Sequence, residues 1–114
     1  MAHVQLKSVP STQILLVVDD RQENLVAMQA LLEEGDWQLR CVDSGESALQ
    51  CMLEEDVGLV LLDVQMPHMD GFEVARLMRG NPRTRYTPII FVSAIAQTQD
   101  SVIKGYATGA VDFM

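Results

Sequence analysis

Asp19 and Asp20 close one apolar run, ILLVVDD, and Asp63 closes a second, GLVLLDV. Each run is rich enough in Val, Ile and Leu to be a strand buried on both faces. If the two strands are neighbours in one parallel sheet, the three acids converge at one end of it. At about 5 Å and an effective dielectric near 20, each carboxylate pair repels by roughly 3 kcal/mol. Either one acid takes up a proton or a cation neutralises the group. Oxygen-only ligands suit a hard ion, and few protein ligands with open water positions suit Mg²⁺. A metal that also bridged phosphate oxygens would turn one carboxylate into a nucleophile toward phosphorus, with aspartyl phosphate as the covalent outcome.

The rest of the chain must supply elements that hold these acids. After a lead-in over residues 1–12, a strand is predicted over 14–18 and a helix over 23–34, with Leu25, Met28, Leu31 and Leu32 on its inner face and Gly35 as its stop. A strand over 38–42 follows. Ser44 caps a second helix that turns Ala48, Leu49, Met52 and Leu53 to one side. A strand over 59–63 leads into a loop over 65–70, broken by Pro67. The third helix starts near Gly71, buries Val74, Ala75 and Met78, and ends at Asn81-Pro82; Asp70 reads as its cap rather than as a metal ligand. A polar connection leads to a strand over 89–92, a loop over 93–98, a helix over 99–108 closed by Gly109, and the start of a fifth strand over 111–114. Strands alternating with helices, and continuous rather than alternating apolar runs, specify an α/β fold. It is a doubly wound parallel sheet in three layers. Ligands of such sheets bind beyond the carboxyl ends of the strands, where the acids stand.

Composition narrows the function. The chain has 114 residues, enough for one domain, and a net charge of −8 with 16 acidic and 8 basic side chains. That excludes a nucleic-acid face, which needs clustered Lys and Arg. Arg76, Arg79, Arg83 and Arg85 are the nearest approach to a basic stretch and read as a solvated face. No apolar run approaches the length that spans a bilayer, and no signal-peptide core is visible. Cys41 and Cys51 lack metal-ligand spacing and read as reduced, partly buried thiols of a cytoplasmic protein. The methionines read as packing, and His3 and His68 are isolated.

Four motifs in order, VVDD (17–20), LLDVQMPHMDG (61–71), PIIFVSA (88–94) and GAVDFM (109–114), resemble the receiver domains of bacterial two-component response regulators. The resemblance covers residues 13–114. It implies a flavodoxin-like strand order 2-1-3-4-5, the order of the chemotaxis response regulator. It also implies Asp63 as phosphoacceptor and Mg²⁺ as cofactor. Asp20 and Asp63 would bind the ion directly, Asp19 through water, and Gln65 through its backbone carbonyl. Ser93 and the backbone N–H groups of Ala94 and Gln65 would contact the phosphoryl group. Ser93 and Phe113 would form the switch, and Pro67 and Gly71 would shape the loop. The implied partners are a histidine kinase or phosphotransfer protein and an output domain in a longer parent. The chain would be no enzyme beyond its own phosphorylation and dephosphorylation.

One departure stands out. The family's lysine, three residues after the aromatic, would fall past Met114, as would a fifth helix. The chain therefore reads as a receiver truncated in strand 5. An uncovered sheet face then predicts self-association, as a homodimer or swapped oligomer. A docking or dimerisation module that is never phosphorylated is the alternative. Haloacid-dehalogenase-like phosphohydrolases also use a strand-end Asp nucleophile, but they place a second Asp two residues on. Here Gln65 follows Asp63 at that spacing, and Gln22 follows Asp20.

Overall fold

The computed structural model describes residues 13–32, 35 and 37–92 and the strand at 112–113. Its elements run β1 (Ile14–Val18), α1 (Gln22–Leu32), β2 (Gln38–Val42), α2 (Gly45–Glu54), β3 (Val57–Leu62), α3 (Gly71–Arg79), β4 (Ile89–Phe91) and β5 (Asp112–Phe113). All five strands are parallel, in the order β2-β1-β3-β4-β5. The predicted loop and helix over 93–108 lie outside the described residues.

The pleat sorts the core into two faces. Leu16, Val18, Val60 and Leu62 point to one side and pack with Ala48 and Met52 of α2 and Val74, Ala75 and Met78 of α3. Leu15, Val17 and Leu61 point to the other and pack against Leu25 of α1, with Met28 and Leu32 alongside. Described helices thus lie on both sides of the sheet, and β1 is buried along its whole length because both neighbours and both layers enclose it.

Two expected core positions are corrected. Leu31 is 76% exposed and Leu53 is 64% exposed. At 100° per residue, Leu31 lies six positions from Leu25, and Leu53 five from Ala48, so each points well away from the buried stripe. Ser44 caps α2 by accepting from the Ser47 N–H at 3.1 Å, and Asp70 caps α3 by accepting from the Glu73 N–H at 2.8 Å. The last helical residue of α3 is Arg79, directly ahead of Gly80 and the Asn81-Pro82 stop. Gly80 is the C-cap, its N–H still bonded to the carbonyls of Arg76 and Leu77.

The arginine stretch has structural partners. Arg79 donates to the carbonyls of Thr84, Arg85 and Thr87, and so folds the turn that feeds β4. Burial holds its guanidinium pKa below the ordinary value. Arg83 pairs with Asp56 at 3.1 Å and donates to the Met52 carbonyl, and Arg76 pairs with Glu73. Cys41 and Cys51 are free thiols on opposite faces of the sheet. No helix among the described residues is long and apolar enough to cross a membrane.

Candidate functional site

Strand register builds the site. Val18 stands opposite Leu62 in the β1–β3 pair, so the next residues, Asp19 and Asp63, emerge side by side. The ladder continues one step beyond the strands to hold them. The Asp63 N–H donates to the Val18 carbonyl at 2.9 Å, and the Asp19 N–H to the Val42 carbonyl at 3.1 Å. One carboxylate oxygen from each of Asp19, Asp20 and Asp63 lies within 4.8 Å of the others. Asp19 is buried, Asp63 half-buried and Asp20 exposed, so the cluster opens to solvent on one side.

This donor set fits a hard divalent cation. Every donor is oxygen, the three formal charges repel unless neutralised, and the open side leaves room for water ligands. Two hydrogen bonds hold Asp19. The Arg21 backbone N–H donates to its Oδ1 and Asn24 Nδ2 to its Oδ2, each at 3.0 Å.

The loop after Asp63 is closed tightly. The Gly71 N–H donates to the Val64 carbonyl at 2.8 Å, bringing the start of α3 against the backbone of the acid. The Met69 N–H donates to the Pro67 carbonyl at 2.8 Å, a three-residue turn with His68 at its centre and φ at 71°. Gln65 and Pro67 are exposed on this loop and line an open depression of about 520 Å³ with Val64, Met66, Asp70 and Phe72. Neither this depression nor a second, about 430 Å³ between α1 and the turn after β2, is lined by any of the three acids. Phe72, the first residue after Gly71, packs edge-on against Phe91 at 4.9 Å and ties the loop to the end of β4.

The structure therefore brings Asp19, Asp20 and Asp63 together, with Gln65, Pro67 and Gly71 on the adjoining loop. Ser93 and Ala94 lie outside the described residues. Phe113 lies in β5, in register with Phe91, but the switch role of its side chain also lies outside them. Asn24 was missed by sequence reasoning. Its signal was an Asn five residues after the first acid, at the third position of a helix that starts beside it.

Comparison with known proteins agrees with this geometry. Residues 15–114 match the response regulator receiver domain family. The "Probable cyclic di-GMP phosphodiesterase" of Vibrio cholerae is 32% identical over 114 residues, all of this chain and 25% of that protein. Response regulator PleD of Caulobacter vibrioides is 35% identical over 100 residues, 88% of this chain and 22% of that protein. The chain thus spans about a quarter of these relatives. Among solved structures, the receiver domain of the Pseudomonas aeruginosa sensor histidine kinase PA1611, with magnesium coordinated in its active-site cleft, superposes with a TM-score of 0.80. It is 25% identical, over 90% of this chain and 84% of that one.

Proposed function

Because the chain belongs to the response regulator receiver domain family, we propose that it accepts a phosphoryl group on Asp63 from a histidine kinase or phosphotransfer protein and relays it as a conformational signal. The observation that carries this reading is the convergence of the Asp19, Asp20 and Asp63 carboxylates within 4.8 Å at the open end of the sheet. The magnesium in the PA1611 receiver supports Mg²⁺ as the ion.

Asp20, Asp63 and the Gln65 carbonyl would hold the ion directly, and Asp19 through a water ligand. Bound Mg²⁺ would offset the charge of the acids and draw phosphoryl oxygens toward the site. Asp63 does the chemistry. Its carboxylate oxygen forms the new bond to phosphorus as the phosphorus–nitrogen bond of phosphohistidine breaks and its electron pair returns to the imidazole. The protein's contribution is positioning and charge, since the transition state needs little else. Its β3–β1 ladder fixes Asp63, and the Gly71 N–H bond to the Val64 carbonyl holds the following loop beside it. Ser93 and the Ala94 and Gln65 N–H groups would receive the phosphoryl oxygens. A shift of Ser93 and Phe113 would report their arrival.

The family match from residue 15 onward supports taking 13–114 as the receiver and 1–12 as its lead-in. Cytoplasmic location accords with such donors. Self-association is tested by sedimentation, where a monomer at high concentration counts against it. The site is tested by ¹⁹F NMR with beryllofluoride, a phosphoryl mimic. A bound resonance should appear only with Mg²⁺ and vanish in Asp63→Asn. A resonance that survives that substitution overturns the assignment.

A further inference from the structure

Asp19 is 8% exposed, and both its oxygens are engaged. A carboxylate oxygen carries two lone pairs. The Arg21 N–H occupies one on Oδ1 and Asn24 Nδ2 one on Oδ2, which leaves one on each. The backbone of Asn24 is held independently of the acid. It stands in the first turn of α1, its own N–H bonded to the Arg21 carbonyl at 3.1 Å. The helix therefore fixes the Asn24 backbone, and the side-chain amide ties Asp19 Oδ2 to it.

We propose that Asn24 is a positioning residue of the metal centre, setting the rotation of the Asp19 carboxylate so that its remaining lone pairs face the water ligands of the cation. The proposal rests on the reading of Asp19, Asp20 and Asp63 as a divalent-cation site. An amide suits the role for a physical reason. It donates a hydrogen bond without charge, so it orients Asp19 and leaves intact the negative field that attracts the ion. A Lys or Arg would cancel part of that field, and an Asp would repel Asp19 at the same distance. Partners that orient metal-site carboxylates in this way affect affinity without touching the ion.

The test uses the whole chain and Mg²⁺ alone. By calorimetry, Asn24→Ala should weaken Mg²⁺ binding about tenfold or more. In ¹⁵N spectra of the unaltered chain, the Asn24 side-chain amide should shift during the Mg²⁺ titration with the midpoint that calorimetry gives. A residue that only stabilised the start of α1 would lower the stability of Asn24→Ala and leave the Mg²⁺ affinity of the folded chain unchanged. Unchanged affinity in a folded Asn24→Ala, or an Asn24 amide unmoved by Mg²⁺ that the chain does bind, overturns the proposal alone. No Mg²⁺ binding by the unaltered chain at millimolar concentration overturns the metal reading and this proposal with it.

Discussion

The backbone of Gly71 lies so close to that of Asp63 that a Cβ on Gly71 would stand 2.3 Å from the Asp63 carbonyl oxygen and 3.0 Å from its carbon. These obstacles are main-chain atoms at the end of a buried strand and cannot swing aside. Gly71→Ala must therefore push α3 and the loop away from Asp63. The expected cost is about 1–3 kcal/mol of stability, read as a lower urea midpoint. Mg²⁺ affinity should fall with it, because Gln65 rides on the displaced loop.

His68 shows the opposite case. Its φ of 71° is a conformation that favours glycine. His68→Gly should relieve more strain than it adds in unfolded-state entropy, for a net gain of about 0.5–1 kcal/mol. His68→Val should lose about 1–2 kcal/mol, because a β-branched residue tolerates this region least. Urea denaturation with unchanged slope checks both.

Arg40 and Glu55 form the best-aligned ion pair among the described residues, with Arg40 Nε and Nη2 at 2.8 and 2.7 Å from the carboxylate oxygens. The Arg40 hydrogen bond holds the Glu55 carboxyl below its ordinary value of 4.5. A depressed carboxyl contributes stability above the unfolded-state value and loses it as pH falls through the folded one. Glu55→Gln should therefore be modestly less stable than the parent at pH 7, and the gap should close below pH 4.5. Half-exposed geometry keeps the effect small and salt-sensitive. Thermal melts of both proteins across pH measure the difference.

Burial raises both the Cys41 and the Cys51 thiols above 9.0. Each should react slowly with a thiol-specific alkylating agent at pH 8 in the folded chain and promptly in urea. Above pH 9 the raised values turn into lost stability, because the unfolded chain then releases these protons more readily.

These cases show which parts were legible in the sequence. The run Ile14–Val18 marked a strand because all five of its side chains are buried, and the acids at its end and at the end of β3 marked the site. Leu31 and Leu53 misled because hydrophobicity alone does not fix a helix face; the angle from Leu25 or Ala48 does. The Arg40–Glu55 pair spans fifteen residues and follows from the β2 register and the end of α2, which no local pattern specifies. Asn24 escaped because an exposed polar residue in a first helical turn is ordinary until the acid it holds is seen beside it.

The central claim is that Asp63 is the phosphoacceptor. The chain incubated with acetyl phosphate and Mg²⁺ should gain the mass of one phosphoryl group, and Asp63→Asn should gain none. A chain that binds Mg²⁺ yet gains no mass, or a gain that persists in Asp63→Asn, would contradict it.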